Sequence, residues 1–147
     1  MRVLDTLKFT NVTPPGAIVD NAAFTTAAVD TQGFGDLLFL IILGALDIAM
    51  AVAKVTESES SDMSGATDVP GADFSVSPAT LPGATNDDAL YGVLVRVRGK
   101  RKRYLDFSGT GGDGSTGTYM AVIAIQAEPE EYPTSAAERG FTQLLRA

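Results

Sequence analysis

The chain has 147 residues, a net charge of −7 and no cysteine, histidine or tryptophan. This length suits one domain with its own core, while the missing cysteine and histidine exclude disulfides, thiolate nucleophiles, and the most common metal ligand and general base. Hydrophobic residues make up 45% of the chain, which beside the acidic charge predicts apolar surface that oligomer or assembly contacts cover.

The first 16 residues are predicted to form an extended N-terminal arm. They end in two prolines and a glycine, which cannot continue a helix or a central strand. Two segments that contain threonine and valine, 17–20 and 23–30, follow as candidate strands. The arm lacks the apolar core and the cleavage site of a signal peptide, so we expect the protein to stay in the cytoplasm where it is made unless it is packed into a particle.

The most apolar stretch, residues 36–55, has the length of a membrane span. A membrane helix needs about 20 apolar residues with few or no charges, and Asp47 lies in the middle of this stretch. We instead expect a strand over 37–43 that is covered on both faces, a turn at 44–47, and a second strand in which large and small side chains alternate over 48–53. The pattern is typical of a β protein with no membrane contact.

The rest of the chain is predicted to consist of short strands separated by turns. An acidic loop at 57–65 and a proline-rich stretch at 70–88 precede the candidate strands at 90–98, 103–108 and 118–127. Near the C-terminus, Ser135 and Glu138 have the spacing of a capping box. We expect one helical turn there, which Gly140 would end before an extended tail.

These elements predict an all-β fold. About eight strands at turn-punctuated spacing indicate a single-domain antiparallel sandwich that resembles a jelly roll. We assign the N-terminal arm to residues 1–16, the sandwich to 17–134, and the short helical turn with its extended tail to 135–147.

The most strongly charged segment, residues 96–103, contains six basic residues and no acid. A two-residue turn at its centre would form a hairpin that places Arg98 opposite Arg101 and Arg96 opposite Arg103. Like charges so placed need carboxylates beside them, from the acidic loop or from a neighbouring subunit. Three interpretations stay open: a hairpin tip neutralised within the chain, a surface that docks an acidic protein, and a nucleic-acid site, which the acidic remainder of the chain disfavours.

Motifs that would carry chemistry are weak. Residues 109–114 match G-x-G-x-x-G, but a nucleotide site needs a helix next, and the residues that follow have a β pattern. Acidic residues at 57–62 and 113–115 lack the spacing of a calcium loop. Because histidine is absent and nothing selects a pair of carboxylates, we expect no enzymatic activity, no cofactor and no metal site.

Six strings follow one another along the chain: PGAIVDN (15–21), LGALDIAM (43–50), KVTES (54–58), RGKRKRYLD (98–106), GDGSTGTY (112–119) and AERG (137–140). In this order they resemble small virion proteins of tailed bacteriophages and prophages. Proteins of this kind with an assigned role resemble capsid decoration, or cement, proteins, many of which are β-rich trimers outside the head, over junctions between capsomers. The resemblance implies a homotrimer on the capsid exterior that bridges capsid subunits and contacts the major capsid protein, with no direct nucleic-acid contact.

Candidate contact residues lie in the basic segment and in the tail. They are Arg96, Arg98, Lys100, Arg101, Lys102, Arg103, Phe141, Leu144 and Leu145. The alternative function is a receptor- or glycan-binding β-module of a phage head or tail. The absence of tryptophan and the presence of only four tyrosines disfavour it, because sugar sites use aromatic side chains as platforms.

Overall fold

A computed structural model describes residues 3–13, 18–19, 22–99, 101–112 and 118–145. Its elements are a 3-10 helix (Val3–Thr6) and the strands β1 (Lys8–Asn11), β2 (Ile18–Val19), β3 (Ala23–Thr25), β4 (Val29–Asp30), β5 (Asp36–Leu46), β6 (Val52–Ser58), β7 (Thr67–Asp73), β8 (Leu90–Arg96), β9 (Tyr104–Thr110) and β10 (Thr118–Ala127). Over these ranges the structure contains no helix with the length and apolar character to cross a membrane.

The strands form two antiparallel sheets around one core. Sheet A has the order β1-β10-β5-β8, and β2 pairs with β10 on the same side as β1. Sheet B has the order β3-β9-β6-β7, and β4 likewise pairs with β9 beside β3. The ten strands therefore occupy eight positions, and the predicted all-β antiparallel sandwich is confirmed.

The strand order is that of a jelly roll. Strands that adjoin in the sheets are nested in sequence: β6 with β7, then β5 with β8, then β3 and β4 with β9, and outermost β1 and β2 with β10. One long antiparallel hairpin wound into two sheets produces this nesting. The predicted similarity to a jelly roll is therefore confirmed for the described residues.

Every second residue of the long strands is buried between the sheets. Leu37, Phe39 and Ile41 of β5 are each at most 1% exposed. On the inner face of sheet B, Val55 and Phe107 are cross-strand partners and are equally buried. Complete burial of one such side chain contributes about 1.5–3 kcal/mol, so this layer accounts for much of the stability of the fold.

The predicted division of residues 36–55 into two strands is correct, but its boundaries and burial are wrong. Strand β5 continues to Leu46, and the connection to β6 runs from residue 47 to residue 51. In this connection the Met50 and Ala51 amides donate hydrogen bonds to carbonyls of other segments at 2.9 Å. The apolar run is covered on one face only, since Ile42 is 37% exposed.

The predicted hairpin across residues 96–103 is wrong. Strand β8 pairs with β5 in sheet A, whereas β9 pairs with β6 in sheet B. The intervening residues cross from one sheet to the other, so Arg96 lies opposite Asp36 and is separated from Arg103. An alternating strand pattern is the same whether the next strand in sequence lies beside it or across the core, which explains the error.

The two ends of the chain pack against each other. Residues 8–11, which we assigned to the arm, form the edge strand β1. The Arg139 carbonyl accepts a hydrogen bond from the Phe9 amide at 2.9 Å, and the Phe9 and Phe141 rings lie 5.2 Å apart. The Arg139 guanidinium forms an ion pair with Asp5 at 2.9 Å.

The predicted capping box is confirmed. The Glu138 amide donates to the Ser135 hydroxyl at 3.1 Å, and the Ser135 amide donates back to the Glu138 carboxylate at 2.9 Å. The turn that follows ends at Gly140, whose φ of +85° lies in the left-handed region, as predicted. Hydrogen bonds from the Ser135 and Thr134 amides to the carboxylate lower the pKa of Glu138 to about 2.

The lowered pKa predicts how this turn responds to acid. A carboxylate whose folded-state pKa is depressed stabilises the turn above its ordinary pKa of 4.5, and this stabilisation is lost as pH falls through about 2. We expect the amide chemical shifts of Thr134 and Ser135, followed by NMR, to titrate with a midpoint near 2. A midpoint at or above 4 would contradict the capping geometry.

The close packing of Gly109 against Phe24 predicts that a substitution at this glycine destabilises the protein. A Cβ added at Gly109 would lie 2.5 Å from the Phe24 ring, whereas one added at Gly92 would meet only the tip of Leu38 at 3.4 Å. We expect Gly109→Ala to destabilise the protein by about 1–3 kcal/mol through overpacking, and the control Gly92→Ala to leave stability within about 0.5 kcal/mol. Urea unfolding of dilute protein measures both, and equal midpoints would refute the packing.

Candidate functional site

The outer face of sheet A is apolar across its width. The side chains that point away from the core on its three longest strands are Leu38, Leu40, Ile42, Leu90, Leu94, Tyr119, Ala121, Ile123 and Ile125. Leu90 is 66% exposed and Leu94 is 64% exposed. We call this surface the apolar face.

The strand register collects these side chains into one patch. Ile42 lies between Leu90 of β8 and Ala121 of β10, and Leu38 lies between Leu94 and Ile125. Described charges border the patch at its two ends, where Asp36 and Arg96 are cross-strand partners at one end and Asp88 precedes Leu90 at the other. Exposed apolar patches of this kind are typical of interaction surfaces, so this face is the candidate contact surface of the protein.

The outer face of sheet B has the opposite character. Lys54, Thr56, Asp106 and Ser108 point outward from its two central strands. The Lys54 ammonium forms an ion pair with Asp68 at 2.8 Å, and the hydrogen bond to Asp68 holds the pKa of Lys54 above its ordinary value. This ion pair favours the protonated form of Lys54.

A polar depression of about 570 Å³ lies on this face beside the acidic loop. It is lined by Thr25, Thr26, Ala28, Thr56, Ser61, Asp62, Met63, Ala66, Asp106 and Ser108. Asp106 is only 2% exposed, and burial raises the pKa of its carboxyl group despite a hydrogen bond from the Thr56 hydroxyl. The depression offers hydroxyl and carboxyl groups to a polar ligand, but none of its lining residues is aromatic.

The structure disperses the basic segment instead of gathering it. Arg101 donates to the Glu57 carboxylate at 3.4 Å, and the Lys102 amide donates to the same group at 3.1 Å. Arg103 donates two hydrogen bonds to Asp30, at 2.7 and 2.9 Å, which lower the pKa of that carboxyl group. The sequence suggested carboxylates of the acidic loop as partners, and Glu57 is one of them, but the predicted start of that loop is wrong because Glu57 and Ser58 belong to β6 and are buried. Asp30 was not anticipated as a partner.

Two further basic candidates, Arg96 and Arg98, lie at the end of sheet A. Arg98 donates to the Glu128 carbonyl at 3.2 Å, and Arg96 is exposed. Lys100 lies outside the described residues. Arg96 and Arg98 are therefore available to a partner, whereas the charges of Arg101 and Arg103 are already paired within the chain.

The hydrophobic tail candidates differ in accessibility. Leu145 is 83% exposed, whereas Phe141 is half-buried against Phe9. Leu144 lines a cleft of about 480 Å³ together with Tyr132 and Arg139. Leu145 is the tail residue with the most surface to offer to another molecule.

One glycine of the G-x-G-x-x-G motif has a packing role. A Cβ at Gly112 would lie 2.3 Å from the Ala49 carbonyl oxygen, so this glycine permits close packing of two connections. Strand β10 begins at Thr118, and the acidic candidates at 113–115 lie outside the described residues. Elsewhere, the described part of the chain has no group of three or more acidic side chains placed to hold a metal ion.

Sequence reasoning missed the apolar face as a single surface. Its signal was present in two strands, 37–43 and 121–125, that are apolar at nearly every position. We took the first as a strand covered on both sides, which is the usual meaning of such a run.

Comparison with known protein families and with curated proteins finds no match to this chain.

The buried carboxyl group predicts a pH-dependent substitution effect. Because the folded-state pKa of Asp106 is raised above 3.8, ionisation costs stability above that pH, and the cost vanishes below it. We expect Asp106→Asn, which keeps an acceptor for Thr56, to be more stable than wild type at pH 7. The gain should shrink as pH falls through 3.8.

Thermal unfolding between pH 3 and pH 7 measures this effect. The control is Asp62→Asn in the same depression, because hydrogen bonds from Ser64 and Ser60 lower the pKa of Asp62. That variant should show no gain in stability at pH 7. An Asp106→Asn variant that is less stable than wild type at pH 7 would contradict the assignment.

Proposed function

We propose that this chain is a structural virion protein of a tailed bacteriophage or prophage. In this role it decorates and stabilises the capsid as a cement protein, by bridging protein subunits. The proposal combines the resemblance of the sequence to small phage virion proteins with one observation, the apolar face of sheet A. A protein that acts as a bridge needs such a surface, and it needs no reactive groups.

The free energy of burying its leucines and the area of the apolar face support a contact of this kind. Burial of a fully exposed leucine contributes about 1.5–3 kcal/mol, so Leu90 and Leu94, each about two-thirds exposed, would contribute roughly 1–2 kcal/mol apiece. A standard interface removes about 800 Å² from each partner. The apolar face spans three long strands and provides the centre of an interface of that size.

The contrast between the two faces suits a protein held against a shell. The polar outer face of sheet B and the net charge of −7 would keep the free subunit in solution. The apolar face would contact further copies and the major capsid protein, with Arg96, Arg98 and Leu145 as accessory contacts at its margins. The oligomer that we propose is a homotrimer on the capsid exterior, made in the host cytoplasm, without direct contact to DNA or membrane.

A second candidate function is a receptor- or glycan-binding module, and the polar depression beside Asp106 favours it. Hydroxyl and carboxyl groups of this kind form hydrogen bonds with sugar hydroxyls. The lack of an aromatic lining residue makes the site a weak sugar platform. Glycan-array binding that Asp106→Asn abolishes would favour this function over capsid decoration.

The experiment mixes the purified protein with expanded phage heads assembled without it. We expect saturable binding and an increase in the temperature at which the heads release DNA. Ile42→Asp, which places a charge at the centre of the apolar face, should reduce binding at least tenfold, because a buried unpaired carboxylate costs more than about 1.4 kcal/mol. Thr25→Asp, an exposed substitution on sheet B, is the matched control and should bind like wild type.

Copy number in purified particles provides an independent measurement. Mass spectrometry should find hundreds of copies of this chain in each particle, since a decoration protein occupies many capsid positions. A few copies would indicate a tail component. The proposed function would be refuted if wild-type protein does not bind phage heads, or if the Ile42→Asp variant binds them as tightly as wild type does.

A further inference from the structure

The two sheets have edges, and most of them are protected against pairing with another chain. Along one side, β1 is covered by the C-terminal turn, and β3 and β4 have only three and two residues. On the other side, β7 carries Pro70, a left-handed Gly71 and a register shift in its pairing with β6. Short strands, proline and bulges are the usual devices that block edge-to-edge association.

Strand β8 is the exception. It has seven residues and pairs with β5 in unbroken register, with no proline or bulge. The Val97 amide bonds to the Gly35 carbonyl at 2.9 Å. Because hydrogen-bonded positions alternate along an antiparallel pair, the backbone groups of Leu90, Gly92 and Leu94 point away from β5. Within the described part of the chain no strand pairs with this side of β8.

The sequence of this edge is self-complementary around Gly92. Leu90 and Leu94 lie two residues to either side of Gly92, and Asp88 and Arg96 lie four residues to either side. If two copies of β8 pair antiparallel about a two-fold axis at Gly92, each Leu90 lies beside Leu94 of the second copy. Asp88 precedes β8 and has a left-handed φ of +58°, so each Asp88 would approach Arg96 of the second copy just beyond the paired strands, where opposite charges attract.

Other symmetric registers lose this match. A two-fold axis at Leu94 would place Leu90 beside Arg98, and an axis at Val93 would place Leu90 beside Arg96. An axis at Tyr91 would place Asp88 beside Leu94. Only the axis at Gly92 pairs leucine with leucine and carboxylate with guanidinium.

Gly92 itself is unexplained by the protomer. A Cβ there would meet only the flexible tip of Leu38 at 3.4 Å and the Phe39 carbonyl oxygen at 3.9 Å. A glycine inside a strand usually marks a bulge or the close approach of another backbone, and the pairing of β8 with β5 has no bulge. The outer face beside Gly92 is therefore open to a second chain, and the protomer leaves room there for a small side chain such as that of cysteine.

We propose that the free edge of β8 is an interface with a second copy of this chain, in which the two β8 strands pair antiparallel about a two-fold axis at Gly92. The two A sheets then form one continuous sheet, and their apolar faces join on the same side. The inference deepens the proposed function, on which it rests for its biological use, because the joined surface doubles the area that can contact a shell. The two-fold contact leaves the apolar face free for a threefold contact.

Disulfide trapping tests the register directly, because the natural chain contains no cysteine. Gly92→Cys places two thiols at the axis, within the Cα separation of about 4.4–6.8 Å that a disulfide spans. In a pair of Leu90→Cys copies the two thiols are four residues apart along the strands, or about 13 Å at about 3.3 Å per residue. When Leu90→Cys is mixed with Leu94→Cys, a pair that contains one copy of each variant places its two thiols side by side. Val76→Cys, in an exposed loop at 61% exposure, measures random collision.

We expect Gly92→Cys to form covalent dimers under mild oxidation at least tenfold faster than Val76→Cys, as judged by non-reducing gels. The mixture of Leu90→Cys and Leu94→Cys should link, and neither variant should link alone faster than Val76→Cys. Gly92→Cys linking no faster than Val76→Cys would overturn the proposal. Leu90→Cys linking to itself as fast as Gly92→Cys would overturn the register.

A charge exchange tests the pairing without cysteine. Arg96→Asp should weaken self-association about tenfold, which corresponds to about 1.4 kcal/mol, because Asp88 then faces a second carboxylate. The double variant Asp88→Arg with Arg96→Asp should restore it, as measured by sedimentation equilibrium. Failure of the double variant to restore self-association would count against the pairing.

The outcomes separate this inference from the proposed function. If Gly92→Cys forms disulfide-linked dimers but the protein does not bind phage heads, the β8 interface is supported and capsid decoration is refuted. Head binding by a protein that shows no trapping at Gly92 would refute the interface and leave capsid decoration standing.

Discussion

The structure depends on the burial of one face of β5 against the opposite sheet. Leu37, Phe39 and Ile41 are at most 1% exposed, and they pack in a single core with Val55 and Phe107 of sheet B. Because side chains alternate along a strand, burial of these odd-numbered residues forces the even-numbered ones outward. Since Leu38, Leu40 and Ile42 are also apolar, the constraint that builds the core places apolar side chains on the surface.

Several charged side chains pair within the chain, away from the apolar face of sheet A. The carboxylates of Glu57 and Asp30 engage Arg101 and Arg103 within the chain, so two of the six positive charges of the basic segment are neutralised locally. Carboxyl groups on sheet B are likewise engaged, Asp68 with Lys54 and Asp106 with Thr56. What is left for a partner is an uncharged face, with charge confined to its margin, and the free edge of the same sheet.

Alternation and turn chemistry, which are local properties, made much of the fold predictable. The sequence predicted the all-β sandwich, its similarity to a jelly roll, the two strands within 36–55, and the capping box at Ser135 and Glu138. The proposed hairpin at Arg96 and Arg103 failed because pairing across a jelly roll joins residues distant in sequence. Leu105 pairs with Glu57 and Val29, for example, and no local pattern encodes that choice.

Composition and a period of two, which are readable without coordinates, identify this chain as a β protein whose apolar residues exceed what one core needs. Only the folded structure shows where the excess lies. It placed the outward residues of β5, β8 and β10 side by side in one sheet, and it left β8 at an edge that no other described strand covers. The physical reason is that strand neighbours are selected by mutual burial over long sequence distances, which only the folded chain resolves.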